Sequence, residues 1–303
     1  MEAMADPARR FADNVPGGFY VDAACIDCDT CRQVAPLTFA EAGGHARVQA
    51  QPEAPDAHRL ALRAALCCPV NAIGTPDPAG MRAAVQDFPL RIELPAEGAV
   101  AAWYCGFNAA GSYGGNSYLV RAGDGGLWMV DAPRWQPALA TAMDKLGGVA
   151  GIFLTHRDDV ADAAKYAARF KAPRVIHERD ADACPDAERQ IAGDDVVVLA
   201  PGLTAIPTPG HTAGHMALLA HDAVLFTGDH LWWSRRKRAL NASRGVCWHS
   251  WPEQVASLRR LQEVRFHTVL PGHGERYVAG DVGTMREALR TLVAGVEADG
   301  DDD

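Results

Sequence analysis

Thr208-Pro209-Gly210-His211-Thr212-Ala213-Gly214-His215 is the stretch that decides how most of this chain folds. It ends a strand-like run in a Pro-Gly turn and delivers histidines from that turn. Three further strand ends stop in the same way, at Thr155-His156, at Thr227-Gly228-Asp229-His230 and at Leu270-Pro271-Gly272-His273-Gly274. Imidazole and carboxylate are ligands for zinc or iron, and glycines beside them let the backbone turn sharply at a metal. Any one of these histidines alone reads as an ordinary core or surface residue. Four such ends in one chain are most simply explained if they converge on one edge of a sheet.

The surrounding texture supports a sheet with an edge of that kind. Ser117-Tyr118-Leu119-Val120 and residues 127–131 read as strands joined by the Gly-Asp-Gly-Gly turn at 123–126. A helix is expected over 135–146, a strand over 152–155, a helix over 160–170, and strands over 174–177 and 196–199. A second strand pair (217–220 and 223–227), a helix over 254–264, a strand over 268–271 and a closing helix over 283–296 complete the pattern. Such alternation predicts a layered domain with helices covering sheets.

The order H, PGHT-x-GH, TGDH, PGHG resembles the metallo-β-lactamase-fold hydrolases, glyoxalase II-like enzymes among them, across roughly residues 100 to 290. Asn116-Ser117-Tyr118-Leu119 and Val130-Asp131-Ala132 fit as well. The resemblance implies an αββα sandwich in which His211 binds a first metal, Asp229 bridges two metals and His273 binds the second. It makes His215 and His230 structural hydrogen-bonding residues. The first motif departs from the family's T-H-x-H-x-D-H, because the chain reads Thr155-His156-Arg157-Asp158-Asp159-Val160-Ala161-Asp162-Ala163. His156 matches and Asp158 stands where the second histidine belongs. A two-residue slip brings in Asp162 as the next carboxylate, leaving no histidine after it. Asp158, Asp159 and Asp162 read equally well as caps of a helix starting near Val160. A single metal would be held by His156, His211 and Asp229, two histidines and one carboxylate, an arrangement used by mononuclear iron enzymes; persulfide dioxygenases of this fold are similar in that respect.

Ahead of these motifs lie Cys25, Cys28 and Cys31, followed at a distance by Cys68-Pro69. A C-x2-C-x2-C triplet with a remote C-P is the spacing that holds one [4Fe–4S] cluster, whereas zinc knots are normally built from C-x2-C pairs. Ala35-Pro36 stands where a second cluster would need a cysteine. From Cys25 through Val34-Ala35-Pro36 and Phe39 to Cys67-Cys68-Pro69-Val70-Asn71-Ala72-Ile73, the segment resembles a small single-cluster bacterial ferredoxin. Neighbouring side chains at 67 and 68 point apart, so only one reaches the cluster, and Pro69 favours Cys68.

Hydrophobic content of 48% against 22% charged residues fits a well-packed globular chain, and no apolar run approaches the roughly 18 residues needed to span a bilayer. A net charge of −9 argues against nucleic acid as the main partner. Met1-Glu2-Ala3-Met4-Ala5-Asp6 lacks the order of a secretory signal. Five of the eight cysteines lie in the ferredoxin-like segment, a distribution that suits a reducing cytoplasm better than a disulfide framework. Against this acidic background Arg235-Arg236-Lys237-Arg238 forms a basic run just after Asp229-His230, readable as a solvated face or as a site for an anionic substrate. His45, His58, His177, His221, His249 and His267 read as structural or solvated.

The expected fold is α+β, an N-terminal ferredoxin-like domain over 1–90 and an αββα metallo-β-lactamase-fold sandwich over 91–297, with 298–303 a disordered acidic tail. The stretch 74–94, with Pro76, Pro78, Gly80 and Pro89, reads as a domain boundary or connecting arm. The expected cofactors are one [4Fe–4S] cluster bound by Cys25, Cys28, Cys31 and Cys68, and one or two divalent ions, zinc or iron, at His156, Asp158, Asp162, His211, Asp229 and His273. The leading expectation is hydrolysis of a small ester, thioester or phosphoester by a metal-activated water oriented by Asp229 or Asp162. A redox enzyme whose iron is fed by the cluster and a redox partner, and a non-catalytic electron carrier or sensor, are the alternatives.

Overall fold

The computed structural model describes residues 5–95 and 100–298. The acidic stretch 299–303, expected to be disordered, and residues 1–4 lie outside the described residues, while Ala298 closes the last helix, Val282–Ala298.

Two sheets form the larger part of the molecule. The first runs in the spatial order Arg189–Ile191, Arg174–His177, Gly151–Phe153, Leu127–Val130, Tyr118–Arg121, Ala102–Tyr104, Leu90–Arg91. The second runs Val197–Ala200, Leu203–Pro207, Met216–Ala220, Val224–Gly228, Thr268–Pro271, Tyr277–Val278. Strand alternation divides the second sheet's side chains between two cores. Met216, Leu218, Ala220, Val224 and Phe226 pack with the first sheet, whereas Ala217, Leu219 and Leu225 pack with Leu258, Leu261, Met285 and Leu289 of the helices Trp251–Leu261 and Val282–Ala298. The first sheet is covered by Leu139 and Met143 of Pro137–Lys145 and by Tyr166 of Ala163–Phe170. The result is helix, sheet, sheet, helix, as the family resemblance implies.

Three of the motif turns follow strands in parallel pairs. Gly151–Phe153 lies parallel to Leu127–Val130, and Val224–Gly228 lies parallel to Thr268–Pro271. Parallel neighbours end at the same edge, so Asp229 emerges beside His273 in the second sheet and Asp131 beside the His156 turn in the first. The fourth turn is set by the helix Trp251–Leu261. Ser250 caps it by accepting from the Glu253 N–H at 3.3 Å, and the N–H groups of His249 and Ser250 donate to the carbonyls of His211 and Gly210.

The N-terminal part has its own core of Phe19, Val21, Phe39, Val48, Leu62, Ala65 and Ile73, with Cys31 and Cys68 in it. Two small sheets and the helix Pro55–Cys67 surround that core. The stretch 74–94 is more than an arm: Asp77 caps a helix, Pro78–Ala84, through the Gly80 N–H, and that helix places Ala84 in the N-terminal core. Pro78 falls at the first position of that helix, where proline is tolerated.

Arg134 joins the two parts. Its guanidinium donates to the carbonyls of Leu66 at 2.8 Å and Cys68 at 3.1 Å, at the C-terminal end of Pro55–Cys67, where unpaired carbonyls and the helix dipole favour a cation. Replacing it by methionine keeps the stem and removes two charge-assisted bonds. Arg134→Met should lower stability by about 2 kcal/mol, seen as an earlier urea midpoint; an unmoved midpoint would show the junction does not depend on it.

Candidate metal centre and cluster site

His156 follows Thr155, whose hydroxyl lies 2.9 Å from His156 Nδ1 and 3.0 Å from both Asp131 carboxylate oxygens. This contact fixes the ring so that Nε2 faces the cleft. Asp229 Oδ2 then lies 3.7 Å from His156 Nε2, 3.7 Å from His211 Nε2 and 3.6 Å from His273 Nε2. Asp158 Oδ2 lies 3.5 Å from His211 Nε2 and 3.8 Å from His156 Nε2. Five of the six residues expected to hold metal therefore meet.

Asp162 does not join them. Its carboxylate accepts from the Trp135 N–H at 2.6 Å and pairs with Lys165 at 2.9 Å. The carboxylate that does enter is Asp159, three residues earlier. It lies in the short 3-10 turn Arg157–Asp159, which tightens the backbone enough to bring consecutive residues 158 and 159 to the same pocket. Asp159 is 2% exposed and neither of its carboxylate oxygens has a hydrogen-bond partner among the described residues. The space around it is kept by two glycines: a Cβ on Gly115 would stand 2.6 Å from Asp159 Oδ1, and one on Gly272 would stand 2.5 Å from Asp229 Oδ1 and 3.2 Å from Asp159 Oδ2. Sequence reasoning weighed Asp159 as a helix cap against a metal ligand and left it out of the expected metal set.

The electrostatics call for a cation. Burial, with Asp229 and Asp131 nearby, pushes the Asp159 carboxyl well above its usual range. Burial pushes His156 down to about 4. Burial works against the charged form of Asp229 too, but His273, His156 and His211 outweigh it and hold that carboxyl low. His156 Nε2, His211 Nε2, Asp229 Oδ1 and both Asp159 oxygens are buried without a hydrogen-bond partner among the described residues. Such groups are costly unless paired or ligating. The donor atoms of His156, Asp158 and His211 lie within 4.8 Å of one another, as do those of His156, Asp159 and Asp229. These residues fit one divalent ion, and Asp159, Asp229 and His273 offer donors toward a second.

His215 is a hydrogen-bonding support: Nδ1 lies 2.8 Å from the Thr208 hydroxyl and Nε2 accepts from the Asp229 N–H at 3.3 Å. His230 is buried beside it with neither ring nitrogen partnered among the described residues. Asp180, which sequence reasoning missed, accepts from the Arg157 N–H, the Thr212 hydroxyl and the Gly214 N–H and so ties the first motif to the second. No spacing signal in Glu178-Arg179-Asp180 marks it.

A cleft of about 1140 Å³ opens over the centre, walled by Tyr113, Arg157, Arg179, Trp232, Trp248 and His249. The basic residues Arg235, Arg236, Lys237 and Arg238 are exposed at the tip of a hairpin, Trp232–Ser234 with Ala239–Asn241, and do not line it. Arg235 instead pairs with Glu275 and donates to the Arg32 carbonyl, and Lys237 donates to Asn241. The arginines lining the cleft are Arg157 and Arg179, and the exposed His249, paired with Glu253 at 3.3 Å, borders it.

Cys25, Cys28, Cys31 and Cys68 line one small cavity. Cys67 is fully buried elsewhere, against Tyr104 in the core of the larger part. Backbone N–H groups of Ala46, Ala72 and Asp27 point at Cys25 or Cys68 sulfurs at 3.2 to 3.5 Å, the kind of donor that stabilises cluster thiolates. Burial pushes Cys68 up to about 11 and Cys31 well above the usual thiol range, so iron must displace the protons. Four thiols around one cavity fit a cubane cluster.

Two outcomes follow from these placements. Asp159→Asn removes one of the crowded buried carboxylates, so the metal-free protein should gain about 1 kcal/mol, roughly 2–4 °C in Tm, while metal affinity falls. Asp162→Ala should cost stability and leave metal affinity unchanged. Equal metal loss in both, by calorimetric titration, would overturn this assignment. Cys67→Ser should retain the visible cluster absorption and Cys68→Ser should lose it; the reverse would reassign the fourth ligand.

Comparison with known proteins agrees with both halves. The family described as the 4Fe-4S single cluster domain of Ferredoxin I matches residues 21–75. Hydroxyacylglutathione hydrolase of Rhodospirillum rubrum is 30% identical over 191 residues, covering 60% of this chain and 72% of that protein. The hydroxyacylglutathione hydrolase of Cereibacter sphaeroides (strain ATCC 17029) is 31% identical over 170 residues, 54% of this chain, and the chain spans 64% of that protein's length. The crystal structure of DIM-1 metallo-β-lactamase exposed to ceftazidime superposes with a TM-score of 0.50 at 16% identity, over 68% of this chain and 96% of that one, which is a likeness of fold. With its motif residues gathered at one sheet edge, the chain belongs to the hydroxyacylglutathione hydrolase family of metallo-β-lactamase-fold proteins and carries an N-terminal [4Fe–4S] ferredoxin-type domain.

Proposed function

We propose that the protein is a metal-dependent hydrolase of a small acyl thioester, or a related ester or phosphoester, bound in the cleft above Asp229. The observation that carries this reading is the approach of three histidine Nε2 atoms to one Asp229 oxygen at the floor of that cleft. His156, Asp158, His211 and Asp229 would hold one ion, and Asp159 and His273 would complete a second position with Asp229. Asp158 in place of an imidazole makes the first set harder, which favours iron or manganese over zinc relative to an all-histidine set. When bound, the ion lowers the pKa of a water and polarises the scissile bond.

The chain's own groups do the rest. Asp229 Oδ1 is buried and unpartnered, so it can accept a hydrogen bond from the attacking water and orient it. Arg157 and Arg179 bring positive charge to the cleft for an anionic substrate, each moderated by its own aspartate, Asp182 at 2.7 Å and Asp194 at 3.0 Å. Trp248, with its ring 6.1 Å from that of His211, offers an apolar wall for the acyl group. The cluster domain is taken to end at Pro89 and the catalytic domain to begin with the strand Leu90–Arg91, which pairs with Ala102–Tyr104, one residue ahead of the expected 90/91 boundary. A cytoplasmic setting suits eight free cysteines, four of them around the cluster cavity. Among the described residues no helix is long and apolar enough to cross a membrane.

The test is turnover of a glutathione thioester, with a phosphodiester as the competing substrate, by protein stripped with a chelator that spares the cluster and reloaded with zinc, manganese or ferrous iron. Activity should return with metal, and His211→Ala should reduce kcat/KM on the order of a hundredfold or more. Turnover that needs no metal, or that survives His211→Ala, would remove the hydrolase reading.

A further inference from the structure

The cluster cavity and the metal cleft share a wall. Asp27, Cys28 and Asp29 of the cysteine triplet line the cleft together with His211, Asp229 and His273. The segment 111–116 bridges the two sites. Cys28 lies so close to Gly114 that a Cβ there would stand 2.9 Å from the Cys28 sulfur, and the Thr30 hydroxyl, 3.4 Å from that sulfur, donates to the Gly114 carbonyl at 3.3 Å. The next residue, Gly115, is the one packed against Asp159. Asn116 then donates its N–H to the Gly272 carbonyl at 2.7 Å, next to His273. The segment is also fastened at its middle, by the Tyr113 phenol donating to the Ile26 carbonyl between Cys25 and Cys28, and by Asn108 donating to the Gly114 carbonyl at 2.7 Å.

From the Cys28 sulfur to the Asp159 carboxylate the route is thus two close approaches, at Gly114 and at Gly115, joined by one peptide unit. Tunnelling decays far less steeply through bonds and close contacts than through open space. Both residues at the contact are glycines, and a side chain at either would push the cluster ligand or the metal-site carboxylate away.

We propose that Gly114-Gly115 is the electron path between the cluster and the metal pocket, and that the cluster serves to hold an iron in that pocket in its ferrous state. This rests on the reading of His156, His211 and Asp229 as a metal site. In the step the reduced cluster loses one electron and a ferric ion gains one; no bond to carbon, oxygen or sulfur is made or broken. The cluster is refilled by a one-electron donor of the low-potential carrier class, for which dithionite substitutes in the test.

The experiment is anaerobic rapid mixing of the full-length protein, its metal pocket loaded with ferric iron or with zinc, with less than one equivalent of dithionite. Cluster absorbance and the ferric electron paramagnetic resonance signal are both followed. In the iron form the cluster should bleach and recover while the ferric signal disappears, with a recovery rate unchanged over a tenfold range of protein concentration. In the zinc form the bleach should persist. Gly114→Ala should slow recovery at least tenfold; should that variant lose its cluster, the concentration series on the unaltered protein decides alone. Recovery proportional to protein concentration, no recovery in the iron form, or an unchanged rate in a cluster-containing Gly114→Ala protein would overturn the proposal. Thioester turnover by the zinc form fails or succeeds independently, so the two readings are separable.

Discussion

Asp159 is the constraint around which the centre is organised. A carboxylate that is almost wholly buried, has no donor among the described residues and lies near Asp131 and Asp229 cannot be accommodated as a bare charge. Either it keeps its proton or a cation joins it. The chain has spent two glycines, at 115 and 272, on making room for it rather than filling the space with packing side chains. The same logic extends outward, since Asp131 is spent on Thr155, Thr155 on His156, and His215 on the Asp229 backbone. Each support removes one freedom from a group that must face the same point.

Much of this was legible in the sequence because strand ends are legible. Strands 174–177 and 268–271 match the expected bounds, and the motif turns occur where a buried strand must stop. His156, His211, Asp229 and His273 could therefore be gathered on paper, and Cys68 could be separated from Cys67 by its proline. The choice between Asp159 and Asp162 could not be made this way. It depends on whether residues 157–159 form a 3-10 turn or extend the following helix, a difference in whether each N–H reaches the carbonyl three or four residues back, which spacing alone does not encode. Asp180 was invisible for a related reason: it accepts from two backbone N–H groups and one hydroxyl on turns distant in sequence, a set with no spacing of its own.

The basic run 235–238 shows the opposite case: of its two readings, a solvated face or a substrate site, the exposed placement fits the first, because proximity in sequence is not proximity in space. Asp229 and Arg235 are six residues apart, yet the chain spends those residues climbing a two-stranded hairpin, and a strand rises about 3.3 Å per residue. The charges end at an exposed tip, one of them pinned by Glu275 and by a carbonyl of the N-terminal part. What the hairpin contributes to the cleft is its base, Trp232, packed over Gly274 beside His273.

That Arg235 and Arg32 meet is one instance of a wider pattern at the junction. Arg134 holds the helix that delivers Cys68, Cys67 is buried in the other part's core, and Asn116 Nδ2 reaches Gln33 at 3.3 Å. A ferredoxin-type domain that acted as a freely diffusing carrier would gain nothing from burying part of its own surface in this manner. Here the two elements that carry the cysteines of the cluster cavity, the triplet loop and the end of Pro55–Cys67, are both anchored by residues of the sandwich. The anchors include the loop that shapes the Asp159 pocket. Geometry at one centre is thus set by contacts that also set geometry at the other. Because packed interiors shift between discrete arrangements rather than deforming smoothly, losing the cluster should disturb the metal cleft even where no metal ligand is touched.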